Sequence, residues 1–305
     1  MAILTQGSAT DKLNGHSSMP ARSGTKMFLK RFIGNWHAVI GLGLILSLVL
    51  LCLFAPFISH YDPVEQDLSK ALLAPSPQHL LGTDYLGRDL LTRILYGGRL
   101  TLTISFLSVA LGLAIGLPLG AISGYFGGWA DMLIQRVTDI LLSFPSFLLA
   151  LMLVSMLGIG VRNLIISIGI MAIPSFIRLV RAYVLSLREM AYVEASRSLG
   201  SSDWAIILKH IIPNVWAPVI VNASLNMGYA ISTSTGLGFL GMGVPFPTPE
   251  WGMMMGEAQD YLFSHPFMVI YPGIVIFIAI IGFNLLGDGL RDAMDPHLRN
   301  IRNIK

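Results

Sequence analysis

The chain has 305 residues, of which 54% are hydrophobic and 12% charged, and its mean hydropathy is +0.68. Water-soluble domains carry roughly 25% charged residues, so a solvated enzyme and a disordered chain are both excluded and an integral membrane protein is implied. The formal charge of +3, from 20 basic and 17 acidic side chains, is too small an excess to indicate nucleic acid, and the single cysteine, Cys52, permits neither an internal disulfide nor a cysteine-built metal site.

Residues 1–25 are rich in Ser, Gly and Thr and read as a disordered tail. In 26–37, Lys30 and Arg31 are interleaved with Phe28, Leu29, Phe32, Ile33 and Trp36, the pattern of a helix lying along a membrane surface. Six stretches then lack Asp, Glu, Lys and Arg: 38–59, 100–130, 140–161, 163–177, 210–249 and 261–287. A bilayer span takes about 20 apolar residues. The fourth stretch reaches that length only by continuing past Arg178 and Arg181, read as snorkelling at the boundary. The polar, basic start and the length of the first stretch argue for an anchor over a cleaved signal. With the amino terminus inside, the inner segments hold 15 of the Lys and Arg residues and the outer ones 5, so both termini are expected in the cytoplasm.

The outer segment 60–99 opens with Pro63, Pro75 and Pro77, which favour an extended path, and then turns helical. Thr83 or Asp84 would cap a helix from Tyr85 to Tyr96, with Asp89 and Arg93 paired one turn apart and Gly97-Gly98 as its stop. The second span carries Gly112, Gly116, Gly120 and Gly124, a bare stripe for close helix packing, and Pro118, expected to kink it. Arg136 and Asp139, three apart where the third span starts, can pair near the interface. Between spans four and five, a short helix through Glu194 and Arg197 should end at Gly200, and Ser202 or Asp203 should cap a second helix running into Pro213. From the residues alone this is either a solvated turn or a docking surface. Span five is polar for its position, with Asn222, Ser224, Asn226, Ser232, Thr233, Ser234 and Thr235 either bonding across helices or lining a wet channel. The segment Pro247-Thr248-Pro249-Glu250-Trp251-Gly252 reads as a rigid outer loop, a mouth seal or a contact for another protein on the outer side, and Asp288, Arg291 and Asp292 as the electrostatic finish of span six. The seven histidines are scattered and form no metal-ligand pattern.

Glu194-Ala195-Ser196, three residues, Gly200, nine residues, His210, one residue, Ile212-Pro213 resembles the cytoplasmic EAA loop (188–213 here) of binding-protein-dependent ABC importer permeases, departing from it at Ser196 and His210. Leu81-Gly82-Thr83-Asp84-Tyr85-Leu86-Gly87-Arg88-Asp89, Gly236-Leu237-Gly238-Phe239-Leu240-Gly241, Pro249-Glu250-Trp251-Gly252 and Asn284-Leu285-Leu286-Gly287-Asp288-Gly289 look like the dipeptide, oligopeptide and nickel importers, in particular their C-type permease subunit. The likeness runs from residue 26 to 298. It implies an all-α polytopic fold of six transmembrane helices, with a core over 100–298 and a short tail at 299–305, in the bacterial inner membrane. It also implies a heterodimer with a second permease, two cytoplasmic ATPases, and a periplasmic or lipid-anchored substrate-binding protein that delivers peptide cargo. The chain would then be no enzyme, with no catalytic residues, metal or cofactor of its own. ATP and Mg would sit in the partner ATPases, as the lack of a Gly-x4-Gly-Lys-Ser/Thr loop here requires. By the resemblance Tyr192, Glu194, Ala195, Ser196, Ser198 and Gly200 couple to the ATPases, Glu194 acting there or in local structure. Asn222, Asn226 and Ser234 are the candidates for the substrate pathway. The competing reading, an ion-gradient-driven secondary transporter, needs ionisable groups within the spans, and the sequence is almost bare of them. An intramembrane hydrolase lacks any nucleophile, histidine and carboxylate grouping.

Overall fold

A computed structural model describes residues 24–294. Of the expected tails, 1–25 and 299–305, residues 1–23 and 299–305 lie outside the described residues, and the last two of the first tail, 24 and 25, already belong to a helix. Within hydrocarbon every backbone N–H and C=O must find a partner in its own segment, so long apolar runs fold as helices. Among the described residues the only strand-like pairing is one isolated bridge, Thr83 with Asp89.

The chain order is α1 (Gly24–Ile33), α2 (Trp36–Leu53), α3 (Ala55–Ile58), an irregular stretch with a 3-10 turn at Leu68–Lys70, α4 (Leu90–Phe126), α5 (Gly128–Leu142), α6 (Ser146–Leu157), α7 (Val161–Leu187), α8 (Ala191–Ser198), α9 (Asp203–Ile206), a π-helical turn (Ile207–Ile211), α10 (Ile212–Phe239), α11 (Trp251–Glu257) and α12 (Phe267–Met294). Among the described residues five helices are long and apolar enough to cross a membrane: α2, α4, α7, the run Asp203–Phe239, and α12. A sixth span is formed if α5 and α6, bent by 90° at their junction, count as one. Pro145 sits at that junction, and its missing N–H breaks the ladder there.

Two expectations about helix ends are corrected. The helix foreseen over 85–96 begins at Leu90, where Asp89 Oδ2 accepts from the Thr92 backbone N–H at 2.8 Å. It does not stop at Gly97-Gly98 but continues as the second span, 37 residues in all from Leu90 to Phe126, about 55 Å at 1.5 Å per residue. Those glycines make room: a Cβ on Gly98 would lie 2.6 Å from the Trp251 ring. Likewise, the short helix capped by Ser202 does not stop at Pro213. It passes through the π-helical turn into α10, and Pro213 falls in the first turn of α10, where the backbone ladder tolerates it.

The core is built on the seam between α4 and α7. A Cβ placed on Gly112, Gly116, Gly120 or Gly124 would come within 2.5 to 2.8 Å of Ala172, Phe176, the Ile177 carbonyl and Val184 respectively, so the bare stripe serves packing inside this subunit. Ile168, Phe176, Val180 and Val184 fill the seam. At one end of the bundle the carboxyl ends of α4, α7 and α12 gather with α1 and α8; here Arg188 Nη1 donates to the Gly124 carbonyl at 3.0 Å and Asn35 Nδ2 to Asp292 at 2.9 Å. At the other end residues 59–89 and 240–266 fold into a cap.

Candidate functional site: an elbow, a polar track and a sealed cap

The elbow consists of α8, the turn at Gly200 and α9. Ser201 N–H donates to the Ser196 carbonyl at 3.1 Å and Gly200 N–H to the Arg197 carbonyl at 3.0 Å, the double bond of a Schellman cap. Gly200 has φ +83, and a Cβ there would meet nothing within 4 Å. The turn therefore requires glycine for its left-handed backbone, not for close packing. Ser202 accepts from the Ala205 N–H at 3.3 Å and starts α9.

Only Val193 of α8 is buried, and it belongs to the same apolar cluster as Val184, Ile206, Ile207 and Ile211. Tyr192, Glu194, Ala195, Ser198 and Gly200 are exposed, and Ser196 is half-buried. The Ser196 hydroxyl donates to the Tyr192 carbonyl at 3.0 Å and lies 3.5 Å from His210 Nε2. Arg197 is not paired with Glu194. Its guanidinium donates to the Tyr125 hydroxyl at 3.2 Å and lies over that ring, while Tyr125 donates to Asp203 at 2.7 Å. Tyr125 lies in the last turn of α4, so both arms of the elbow are tied to the core seam through one side chain. Nothing in the sequence pairs Tyr125 with residues more than seventy positions away.

The polar residues of α10 separate into two sets. Ser234 is fully buried with its hydroxyl on the Ile231 carbonyl of its own helix. Asn222 and Asn226 are part-buried and meet Ser175 of α7: Asn222 Nδ2 donates to Ser175 Oγ at 3.1 Å, Ser175 Oγ to Asn222 Oδ1 at 3.3 Å, and Asn226 Nδ2 to Ser175 Oγ at 3.4 Å. Tyr229 and Ser232, farther along α10, are exposed. Arg178, one turn from Ser175, donates to Asp139 of α5 at 2.9 Å. The sequence had paired Asp139 with Arg136; Arg178 takes it because α5 lies along α7. A second pair joins the same two helices, Arg181 holding Asp131 with two bonds of 2.6 and 2.7 Å.

The cap is held by buried charge. Arg88 Nε donates to Asp84 at 2.6 Å and its Nη2 to Glu257 at 2.8 Å; Arg93 lies 3.4 Å from Asp84 and 3.3 Å from Glu257 and donates to the Pro63 carbonyl at 2.9 Å. The expected Asp89–Arg93 pair is absent: Asp89 caps α4 and takes His79 at 2.9 Å. Arg88 Nη1 and Glu257 Oε1 are buried without a partner. Glu250 and Trp251, in the segment read as an outer loop, a mouth seal or a contact, are completely enclosed. Glu250 caps α11 through the Met253 N–H at 2.9 Å and accepts from Thr101 at 3.0 Å, and burial pushes its carboxyl pKa above the usual range. Near the surface Asp67 is held down to about 2 by its bond with Lys70. Among the described residues no three His, Cys, Asp or Glu side chains gather as a metal site.

A bundle of apolar helices with an exposed elbow at one end and a sealed cap at the other is the architecture of an importer permease. The solved structure of the MetNI methionine ABC transporter in its inward-facing conformation shares the fold, with a TM-score of 0.54 at 20% identity over 67% of this chain and 97% of that one. Residues 116–300 match the family model of the binding-protein-dependent transport system inner membrane component, and 23–75 match the N-terminal TM domain of oligopeptide transport permease C. The chain belongs to this family of binding-protein-dependent inner membrane components, the permease subunits of ABC importers. Similar relatives are the dipeptide transport system permease protein DppC of Alkalihalophilus pseudofirmus, 45% identical over 89% of each chain, and the glutathione transport system permease protein GsiD of Pectobacterium atrosepticum, 40% identical over 92% of this chain and 93% of that one. The di/tripeptide transport system permease protein DppC of Pseudomonas aeruginosa is 43% identical over 90% and 93%.

Proposed function

We propose that this chain is one of two unlike permeases lining the pathway of an ATP-driven peptide importer, with the elbow on the cytoplasmic side as its contact with two ATPases. The observation that carries the reading is the elbow's construction: α8 exposes Tyr192, Glu194, Ala195 and Ser198 while Val193 and the Arg197–Tyr125–Asp203 chain fasten it to the α4–α7 seam. A push on the exposed face therefore reaches rigid helices directly. Closure of ATP-loaded ATPases, which hold the nucleotide and Mg, then shifts the bundle between inward-open and outward-open arrangements. Ser196 and Gly200 set the shape of the contact, and Glu194 offers it a charge.

Asn222 and Asn226, with Ser175, are assigned to the pathway, because amide and hydroxyl groups part-exposed in an apolar bundle belong beside water or cargo. The enclosed Ser234 supports the packing behind them. Peptide cargo is supported by the names of the relatives, and a delivering protein outside the membrane by the family's description. The reading is tested by uptake of a radiolabelled dipeptide into vesicles holding both permeases and the ATPases, with the delivering protein supplied. Uptake should require hydrolysable ATP; uptake driven by a proton or sodium gradient alone would overturn the reading.

A further inference from the structure

Two ion pairs join α5 to α7, and they are built differently. Asp131 and Arg181 share two bonds, are largely shielded, and have Ser123 on the carboxylate, which suits a clamp. Asp139 and Arg178 share one bond of 2.9 Å, and both side chains are 56% exposed. A single Nη2 contact leaves the rest of the Arg178 fork and the second Asp139 oxygen open. Arg178 lies nine residues from the end of α7, about 13 Å along the helix. Charged groups at such positions face water or protein. Arg178 is also one turn from Ser175, so Asn226, Asn222, Ser175, Arg178 and Asp139 form a track that ends in a pair of opposite charges.

We propose that Arg178 and Asp139 are a recognition point for the two charged ends of a short zwitterionic peptide. This rests on the peptide-importer reading above and adds residues and a chemical class to it. The terminal carboxylate exchanges onto the Arg178 guanidinium, whose planar fork matches it. The terminal ammonium exchanges onto Asp139. The neutral groups of Ser175, Asn222 and Asn226 lie where the peptide's amide bonds can exchange hydrogen bonds with them. An exposed single-bond pair is weak and opens readily, and the exchange changes no net charge, so cargo is held loosely enough to leave. The pair also closes on itself when no cargo is present, which the bidentate Asp131–Arg181 clamp behind it permits without movement of the helices.

The test uses the complete importer in lipid nanodiscs and vesicles, in a Cys52→Ser background. Asp139→Cys and Arg178→Cys should each react with a charged, membrane-impermeant thiol reagent. Saturating dialanine should slow that reaction severalfold, and N-acetyl-dialanine amide should not. Asp139→Asn and Arg178→Gln should raise KM for dialanine about tenfold with kcat changed less than about twofold and the melting temperature unchanged. Absence of labelling, equal protection by the blocked compound, or an unaltered KM would overturn the proposal. An importer that takes up no dialanine at all would refute the peptide reading itself, while the labelling would still decide whether the pair borders an aqueous path.

Discussion

Replacing Gly200 by alanine probes the elbow without disturbing the core. Gly200 has φ +83, and the space around a new Cβ is open to 4 Å, so the whole cost falls on the backbone. For an L-residue that conformation costs about 1–2 kcal/mol, which lowers the ratio of turned to straightened elbow about 5- to 30-fold. Asparagine tolerates the left-handed region and should lose much less. The assays are capture of the ATPase subunits by the purified permease pair and nucleotide-driven uptake, with thermal unfolding in detergent as the control. Gly200→Ala is expected to weaken capture by up to that factor at a nearly unchanged melting temperature, and Gly200→Asn to retain most of it. Wild-type capture and uptake in Gly200→Ala would refute the reasoning, as would equal losses in the two variants.

The seam behaves in the opposite way. Gly116→Leu puts a Cβ 2.5 Å from that of Phe176 and 2.9 Å from the Ile173 carbonyl, neither of which can yield cheaply, so a loss of about 1–3 kcal/mol or more and a lower melting temperature are expected. Glu257→Ala leaves Arg88 and Arg93 with Asp84 as their remaining carboxylate partner in the buried cap; about 3–5 kcal/mol should be lost in denaturant unfolding, and a neutral result would show the cluster to be solvated. Burial raises the Glu250 pKa in the folded chain, so the native state keeps that proton to higher pH than the unfolded chain does. Its contribution is therefore fully present below the ordinary glutamate value and falls as pH rises from there to the raised one. Glu250→Gln should flatten that part of the melting-temperature profile, and an unchanged slope would contradict the assignment.

Composition and charge placement made the membrane class and the apolar runs readable, because hydrocarbon leaves helices as the only economical backbone for such stretches. The elbow was also legible in outline, since Gly200 and Ser202 announce a stop and a start within three residues. Where helices end was less so. Gly97-Gly98 reads locally as a stop and is in fact the place where the Trp251 ring presses on a continuing helix, a fact held by residues some 150 positions away. Pro213 reads as a terminus and sits in a first turn that a π-helical turn feeds without a break. Ion pairs were the least legible. Asp89 and Arg93, and Arg136 and Asp139, have spacings that suit a pair, yet Asp89 takes His79, Arg93 takes Asp84 and Glu257, and Asp139 takes Arg178 once α5 lies on α7 and 59–89 lies on α11. Ser175 carried no signal until Asn222 and Asn226 were seen beside it, although a serine following Pro174 inside an apolar run was the available hint.

The central claim is that work done on nucleotide elsewhere enters this chain through α8. A photo-reactive side chain introduced at Ser198 of the intact importer, illuminated in living cells, tests it most directly. An adduct with an ATP-hydrolysing subunit is expected, with a yield that changes when ATP hydrolysis is blocked. If no ATPase is captured, or if Ser198 proves reachable only from the outer face of the membrane, the claim is contradicted.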